Sequence, residues 1–588
     1  MKIVWVLLNG GFVRNYDGAI RALAAQGHTI VLAYQTTRNK DGLDYIRGDR
    51  LKAEYPGQVQ VEQIPVPRTS AWATLTYTVR RLMDYMRYYE PSFAHATALR
   101  DRSAKGLLPS FKWLADKTGR LSGSRAIMRR LLMQLERVAP PEPVAVDFLR
   151  AHSPDLLMVT PLVDPGSRQV DFVKAARMLG IPSGVGVASW DNLTNKGLMR
   201  VVPDRVFVWN DAQKKEAVDF HGARPEQVVV TGAQIFDRWF EWRPTESRAE
   251  FCRKVGLPDD RPYLLYLGSS PFIAPKEAEF AERWLRELRK SKDPDVARAA
   301  VLIRPHPSNY RHWLSYDLTP FGPVAFWPPF ESSPFDPGYD DDYAASLWHS
   351  AAVVGMNTSA MIEAGILRRP VATLRVKEYA HSQAGTLHFE HLRSVEGGLV
   401  YDHADIGEHL PLLGRALRGE PGLADKSAAF VRGFVRPHGG DEPATPRLVA
   451  AIQQAATLRP APQPVTAALR YQRTLVYPLA WAMSGVTDSG GHPWWVNILR
   501  LAIRIGVYGL YGIYQLRVGA TSVHRFVREH GKAAQKRVRR SAHSAWYEST
   551  QAIGRVSQRL VKQLNRSFRR TGSAVKQKLR SAMAGRSN

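Results

Sequence analysis

Short apolar runs alternate with segments of helical periodicity along most of the chain. The first run, residues 3–8, leads into a glycine turn at residues 9–11, then a helical pattern and a second apolar run at residues 29–34. Strand, turn, helix and strand at this spacing form the building block of a parallel sheet. We therefore interpret residues 3–8 as a first strand and not as a signal peptide. The glycines are too few and wrongly spaced for a dinucleotide fingerprint.

The same alternation continues in two series. Further apolar runs of the first series lie at residues 155–160, 183–188, 205–209 and 228–231, and those of the second at residues 263–267, 300–303, 351–355, 371–374 and 398–401. Helical patterns separate them. We predict an α/β fold of two Rossmann-like parallel-sheet domains, residues 1–240 and 245–458, with a hinge near residues 239–244. An active site is expected between the carboxyl ends of the two sheets.

Three segments depart from this alternation. Residues 70–150 are helical and rich in arginine and aromatic residues, which predicts a helical insertion in the first domain. Residues 459–493 begin with a proline-rich stretch, which is typical of a linker. Residues 494–588 combine apolar stripes at helical spacing with many basic residues, which predicts a basic amphipathic tail.

Positive charge is concentrated in two of these segments. The chain has a net charge of +27, and residues 459–588 hold 23 Lys and Arg against 3 Asp and Glu. Residues 68–137 hold 14 against 5. The remaining residues sum to about −2, so the pattern indicates two attachment surfaces on an otherwise neutral enzyme. The single cysteine, Cys252, excludes a disulfide within the chain.

The basic tail has three interpretations: a disordered solubilising segment, an RNA-binding segment, or a segment that binds an anionic membrane. Aromatic, apolar and basic residues occur together in it, which favours the membrane. Residues 494–516 are mostly apolar and approach the length needed to span a bilayer. Arg500 and Arg504 lie within them, so we expect a helix in the plane of the membrane. A simple helical subdomain is the alternative for residues 68–137.

The strongest local signal for chemistry lies at residues 353–366. A buried strand ends at Gly355, and Asn357, Thr358 and Ser359 precede a helix in which Glu363 lies one turn from the start. Backbone N–H groups and hydroxyls at such a point favour a phosphate, and the Glu363 carboxylate can accept hydrogen bonds from a ribose diol. The alternative is an ordinary helix N-cap formed by these polar residues.

This segment resembles the donor site of GT-B transferases, and two further segments match related motifs in the same order. Residues 302–307, Leu-Ile-Arg-Pro-His-Pro, resemble the Arg-Pro-His-Pro element of CDP-glycerol glycerophosphotransferases and related capsule-type transferases. Residues 189–197, Ser-Trp-Asp-Asn-Leu-Thr-Asn-Lys-Gly, are similar to their Trp-His-Gly-Thr-Pro stretch with its following Lys and Gly. The resemblance extends over residues 1–457.

The resemblance implies roles for the residues of these motifs, and the turns after the first strand of each predicted domain add Arg14, Asn15 and residues 268–270. The expected donor nucleotide-binding residues are Gly268, Ser269, Ser270, Arg304, Asn357, Thr358, Ser359 and Glu363. His306 is expected to stabilise the leaving diphosphate, and Asp191 stands where the family has its base histidine. Residues expected at the acceptor or in the cleft are Arg14, Asn15, Asn192 and Lys196. The alternative for Asp191 and Asn192 is that they cap a turn.

Two clusters of potential metal ligands do not predict a metal site. Asp340, Asp341 and Asp342 precede a helical pattern, where acidic residues complement the helix dipole. His388 and His391 are able to share a helix face with His381 nearby, but no third zinc ligand is evident. We expect no metal and no cofactor beyond the nucleotide-activated substrate.

These inferences predict a glycosyltransferase that moves a sugar, or a related phosphoryl-polyol unit, from a nucleotide-activated donor to a surface-glycan or lipid-linked acceptor. We expect it in the cytoplasm, held at the inner face of the plasma membrane by residues 494–588. The alternatives are a CDP-glycerol-type glycerophosphotransferase, a UDP-sugar 2-epimerase and a non-catalytic membrane-associated scaffold. Nucleic acid is not an expected partner.

Overall fold

The computed structural model describes residues 1–36, 45–65, 70–330, 332, 336 and 338–484. Two parallel sheets organise them, which confirms the predicted fold class. The predicted tail, residues 494–588, lies outside the described residues. Among the residues that are described, no helix is long and apolar enough to cross a membrane.

The first sheet has seven strands in the spatial order β3-β2-β1-β4-β5-β6-β7. The strands are β1 Lys2–Leu7, β2 Thr29–Tyr34, β3 Val59–Gln63, β4 Leu156–Thr160, β5 Ser183–Gly186, β6 Arg205–Val208 and β7 Val228–Val230. β1 pairs with β2 and β4, so that Ile3 lies between Ile30 and Leu156. The strand order reverses direction at this point, and ligands of open parallel sheets bind beside such a reversal.

The helices of the first domain cover both faces of this sheet and build the insertion. They are α1 Asp17–Ala25, α2 Ile46–Glu54, α3 Ala73–Met86, α4 Thr97–Ala104, α5 Pro109–Gly119, α6 Ser122–Val138, α7 Pro143–His152, α8 Gln169–Leu179, α9 Asn192–Asn195, α10 Asp211–His221 and α11 Asp237–Glu241. α7 packs into the core of the sheet through Ala145 and Leu149. The helical insertion therefore consists of α3 to α6.

The second sheet has six strands in the order β10-β9-β8-β11-β12-β13. They are β8 Tyr263–Leu267, β9 Ala300–Arg304, β10 Val324–Phe326, β11 Ala352–Gly355, β12 Val371–Leu374 and β13 Val400–His403. The helices that follow the first domain are α12 Arg248–Val255, α13 Glu277–Arg289, α14 Pro294–Ala297, α15 Tyr310–Trp313, α16 Tyr339–Trp348, α17 Ala360–Ile366, α18 Leu387–Ser394, α19 Ile406–Leu417, α20 Asp425–Phe434, α21 Ala444–Ala456 and α22 Ala467–Met483.

Buried ion pairs fix the insertion to the first sheet. Arg80 of α3 forms two-pronged contacts with Glu136 of α6 and Asp171 of α8, at distances of 2.8 to 2.9 Å. All three side chains are at most 4% exposed. Removing one partner of such a set leaves an uncompensated buried charge, so these pairs tie the insertion to the helix α8 of the first domain.

The structure differs from the predicted segment boundaries in three places. The predicted hinge, residues 239–244, begins inside α11, where Trp239 is buried. Helix α21, predicted in the second domain, packs on the first sheet because its apolar stripe, Leu448 and Ile452, joins the core of β1 and β2. Much of the predicted linker is helix α22, which packs on the insertion through Val476 and Ala480.

The chain therefore crosses between the domains twice, and Asp237 ties the two crossings together. Its carboxylate accepts hydrogen bonds from the backbone N–H groups of Ala444 and Thr445, at 3.0 and 2.7 Å, and from Arg436 at 3.0 Å. The carboxylate lies at the beginning of α21, where negative charge is stabilising.

Candidate active site

A cleft of about 640 Å³ lies at the carboxyl ends of both sheets and is lined by residues of both domains. Eight of the predicted site residues line it: Arg14, Asn15, Gly268, Arg304, His306, Thr358, Ser359 and Glu363. Asp191, Asn192, Lys196, Ser269, Ser270 and Asn357 do not belong to its lining. The size and the position of the cleft suit a small-molecule substrate.

Arg304 is the buried cation of this cleft. Arg304 is the last residue of β9 and is 5% exposed. Its Nη1 has no hydrogen-bond partner among the described residues. The guanidinium carbon lies 4.8 Å from the centre of the Tyr343 ring and 5.8 Å from that of Tyr339. Burial lowers the pKa of Arg304. A buried guanidinium without a full set of acceptors favours an anion in the adjoining space.

Glu363 is connected to Arg304 through Tyr343. The Tyr343 hydroxyl donates a hydrogen bond to Glu363 Oε2, and the ring of Tyr343 stacks under Arg304. Burial raises the pKa of the Glu363 carboxyl, while the hydrogen bond from Tyr343 opposes the rise. Its carboxyl lines the cleft and is available to a hydroxyl donor such as a ribose diol.

His306 presents one defined tautomer to the cleft. Its Nδ1 accepts a hydrogen bond from the backbone N–H of Ser308 at 3.1 Å and lies 2.8 Å from the Ser308 hydroxyl. A nitrogen that accepts carries no proton, so the proton of the neutral ring is on Nε2. Burial lowers the pKa of His306, which favours the neutral ring. His306 therefore supplies an N–H donor.

Gly268 sets the distance between β8 and the loop that carries His306. Its N–H donates to the Arg304 carbonyl at 2.8 Å, and a Cβ at this position would lie 2.8 Å from the His306 backbone nitrogen. The next residue, Ser269, turns inward and donates its N–H to the buried carboxyl of Glu277 at 2.6 Å. Of the predicted Gly268–Ser269–Ser270 set, only Gly268 lines the cleft.

Asn357 serves the fold beneath the cleft. Its amide Nδ2 lies 3.3 Å from the Ser382 carbonyl, 3.2 Å from Thr386 Oγ1 and 3.3 Å from His388 Nε2. Burial lowers the pKa of His388 to about 4, so the ring is neutral and its Nε2 is able to accept from the amide. These contacts engage the Asn357 amide nitrogen within the fold, and Asn357 does not belong to the cleft lining.

Asp191 lies behind the cleft wall and reaches it through Ser189. The Ser189 hydroxyl, which belongs to a residue that lines the cleft, donates to Asp191 Oδ1 at 2.7 Å. Asn192 donates to the same oxygen at 3.3 Å, and Asn195 donates to Oδ2 at 2.6 Å. Burial alone would raise the pKa of Asp191, but His388, Lys196 and these hydrogen bonds lower it overall.

The insertion holds the loop that contains Asp191. Arg87, directly after α3, donates to the carbonyls of Leu193, Lys196 and Gly197 at 2.6 to 3.1 Å. Arg102 of α4 donates to Asn195. Asn192 and Lys196, predicted at the acceptor or in the cleft, are not among the residues that line the cleft. The backbone of their loop is held against the insertion instead.

Sequence reasoning missed Ser189, Arg47, Arg238 and the tyrosines Tyr339 and Tyr343, all of which line the cleft. Asp340 pairs with Arg238 at 3.0 Å and with Arg47 at 3.6 Å. The described residues that line the cleft include four arginines: Arg14, Arg47, Arg238 and Arg304. They include two carboxyl groups, those of Asp340 and Glu363. The cleft is therefore cationic, and only its motif residues carried a signal in the sequence.

The acidic and histidine clusters have other partners. Asp341 accepts from Trp242 at 3.0 Å and Asp342 pairs with Lys254. His391 lies 2.5 Å from Glu216 and His381 3.1 Å from the Thr97 hydroxyl. In the described part of the chain, no three His, Cys, Asp or Glu side chains are grouped as metal ligands.

Comparisons with known proteins find similarity in solved structures. The UDP-GlcNAc 2-epimerase from Neisseria meningitidis bound to UDP-GlcNAc is 13% identical with a TM-score of 0.44, over 77% of this chain and 100% of that one. The Methanocaldococcus jannaschii UDP-GlcNAc 2-epimerase with UDP-GlcNAc and UDP is 14% identical with a TM-score of 0.42, over 77% and 100%. A glycosyltransferase from Rickettsia africae is 10% identical with a TM-score of 0.43, over 78% and 98%.

No protein-family model and no curated protein sequence matches the chain. At these identities and scores, the strand order of the two sheets is the firmer evidence for the fold.

Proposed function

We propose that the protein is a glycosyltransferase that moves a sugar, or a related phosphoryl-polyol unit, from a nucleoside diphosphate to a surface-glycan or lipid-linked acceptor. The observation that carries the proposal is Arg304, a buried guanidinium with an unpartnered Nη1 in a cleft between two parallel sheets. A diphosphate supplies the acceptor oxygens that this group lacks.

The second domain supplies the donor half of the proposed site. Arg304 and the Nε2–H of His306 would bind the diphosphate, together with the hydroxyls of Thr358 and Ser359. These donors would stabilise negative charge as it develops on the leaving group. Glu363 would accept hydrogen bonds from the ribose diol, which places the nucleoside beside Tyr343.

The first domain supplies the proton-accepting half. Asp191 stays the proposed base, and the hydrogen bond from Ser189 gives it a route to the cleft. The acceptor hydroxyl would pass its proton to Ser189 Oγ as the serine passes its own to Asp191. The lowered pKa of Asp191 makes it a weak base that is charged at neutral pH, so its contribution is expected at the lower end of general base catalysis.

The membrane part of the proposal concerns residues outside the described range. The +20 charge of residues 459–588 supports attachment of the tail to an anionic membrane, where a lipid-linked acceptor would be found. The cytoplasmic location and the role of residues 494–588 stay predictions.

A thermal-shift screen of the full-length protein against CMP, CDP, UDP, GDP and TDP tests the donor site. A ligand at 100 times its Kd adds about 2.7 kcal/mol to the free energy of unfolding. We expect one diphosphate to stabilise the wild type and the control Arg298→Met, whose arginine is exposed in the same domain, but not Arg304→Met. A CDP response would favour glycerophosphoryl transfer, and no response from any nucleotide would favour the scaffold.

The nucleotide that binds then defines the activity assay. Its sugar derivatives are incubated with the protein, with and without membrane extracts as acceptor, and the products are separated by chromatography. Transfer that requires the extract is the expected result. Interconversion of free UDP-sugars without an acceptor would instead identify an epimerase.

A further inference from the structure

A face of the helical insertion and α22 concentrates the exposed apolar side chains of the protein. Among the described residues, twelve large hydrophobic side chains are exposed. Seven of these lie between residues 77 and 133, and four lie between residues 471 and 479. Leu314 is the twelfth. A distribution this uneven marks an interaction surface, since exposed apolar residues are normally scattered singly.

These side chains belong to helices that pack together. α6 lies against α3 and α5, and α22 packs on both α3 and α6. Arg473 of α22 donates to the Val138 carbonyl at the end of α6 at 2.9 Å. We call the outer surface of α5, α6 and α22 the helical face. Ile127 and Leu131 are one helical turn apart on α6, as are Tyr471 and Leu475 on α22, so each helix presents an apolar stripe.

The helical face is also cationic. Its three helices and the turn between α5 and α6 expose five basic side chains: Lys117, Arg120, Arg129, Arg130 and Arg470.

Carboxylates are missing from the same surface. Two acidic residues occur between residues 105 and 137: Asp116 is held by Lys112 and two tyrosines, and Glu136 is buried against Arg80. α22 contains no acidic residue. The described helical face therefore exposes apolar and positive groups without an exposed carboxylate on α5, α6 or α22.

We infer that the helical face docks on an anionic lipid bilayer, with its large apolar side chains in the interface and its Lys and Arg side chains at the headgroups. Amphipathic helical surfaces with this composition bind anionic membranes. The described chain ends at Ser484, directly after α22. The inference does not depend on the nucleotide site, and it assigns a membrane surface to the folded domain itself.

An environment-sensitive dye on cysteine measures this docking in the full-length protein. The only native cysteine, Cys252, is buried, which keeps it from reacting with the dye. We place the dye on Leu131→Cys and on Leu475→Cys, and use Leu314→Cys as the matched control. The three leucines are 55, 61 and 57% exposed.

Vesicles of phosphatidylcholine with about 30% phosphatidylglycerol are then added, and vesicles of phosphatidylcholine alone serve as the lipid control. We expect the emission at positions 131 and 475 to rise at least about twofold and shift to the blue with the anionic vesicles only. The emission at position 314 should stay unchanged. Attachment by the C-terminal segment alone would bring the protein to the vesicle without moving these two labels into lipid, and so would overturn the inference.

Two other occupants of the helical face give different results. If another segment of the chain covers the face, the dyes at 131 and 475 are already in an apolar environment without lipid and do not respond to vesicles. If a second copy covers it, the emission changes with protein concentration in the absence of lipid. Either result rejects the membrane as the partner.

Discussion

The Arg304 guanidinium lies 4.8 Å above the ring of Tyr343. The aromatic face stabilises the cation without consuming its hydrogen-bond donors, and Nη1 keeps no partner among the described residues. The Tyr343 ring and the guanidinium thus keep a positive charge in the cleft. Burying this charge without a full set of hydrogen-bond acceptors lowers the stability of the ligand-free protein.

Replacing Arg304 with Met should therefore affect stability and binding in opposite directions. Without ligand, we expect the free energy of unfolding to stay equal or rise by about 1 kcal/mol, because a buried polar group that lacks a partner is removed. With the nucleoside diphosphate, the thermal shift should be lost. Urea unfolding with and without nucleotide measures both. A ligand-free variant that is several kcal/mol less stable would show that Arg304 supports the fold.

The proposed contact between Glu363 and the ribose diol predicts a dependence on the sugar of the nucleotide. The wild type should bind the ribonucleoside diphosphate at least about tenfold more tightly than its 2′,3′-dideoxy analogue, since a hydrogen bond to a charged group contributes about 1.5–3 kcal/mol. In Glu363→Ala the two ligands should bind equally well. Isothermal titration calorimetry measures both affinities. Arg298→Met serves as the control, because its arginine is exposed outside the cleft lining and the preference for the ribonucleotide should persist.

The proposed proton route through Ser189 predicts non-additive kinetics. Asp191→Asn and Ser189→Ala should each lower kcat about 10²-fold, and the double variant should lose little beyond either single change. Single-turnover kinetics with the identified donor measures the chemical step. If the losses in kcat of the two single variants multiplied in the double variant, Asp191 and Ser189 would act independently. Unchanged rates with reduced thermal stability would make Asp191 a cap of its turn.

Burial raises the pKa of Glu277 from 4.5 to about 7. The folded protein therefore binds a proton more tightly than the unfolded chain. The stabilisation is complete below pH 4.5 and is lost as the pH rises through about 7. The shift corresponds to about 3 kcal/mol.

Glu277→Gln, which imitates the protonated form, should become more stable than the wild type as the pH is raised from 5 to 8. Urea midpoints over this range measure the difference. Glu287→Gln, at an accessible position of the same helix, should follow the wild type at every pH. A pH-independent difference between Glu277→Gln and the wild type would refute the assigned cause.

The close approach at Gly268 predicts a sharp difference between two alanine substitutions. In Gly268→Ala the new Cβ would meet the backbone of residues 304–306 at 2.8 to 3.1 Å, which should cost about 1–3 kcal/mol and weaken nucleotide binding. At Gly123 in α6, a Cβ meets no atom within 4 Å. Gly123→Ala should be neutral or stabilising by up to about 1 kcal/mol. Chemical unfolding of both variants measures the contrast.

The interior strands were predictable because they are buried on both faces, so their sequences are continuous apolar runs. Thr29–Tyr34, Tyr263–Leu267 and Val371–Leu374 end at the predicted residues. The edge strands Val59–Gln63 and Val324–Phe326 were missed. One alternates with polar residues, and the other has only three residues, none fully buried.

Site residues were predictable only where they belong to a short motif within one segment of the chain. Arg304 ends a strand, His306 and Glu363 follow strands, and all three belong to recognisable motifs and line the cleft. Arg47 and Arg238 come together through Asp340 from distant segments, a proximity that spacing along the sequence does not encode. Asn357 and Ser269 have the residue types of a binding site, but the Asn357 amide nitrogen and the Ser269 backbone N–H make their hydrogen bonds within the fold.

The hydrogen bonds from the start of α21 to Asp237 bear on whether the two domains can be separated. Cutting the chain once between the two sheets would not release two independent halves, because the first sheet would lose the helix that covers it and expose its apolar face. The two domains are thus covalently interleaved. Exchanging the first domain for that of another protein would therefore require that α21 be exchanged with it.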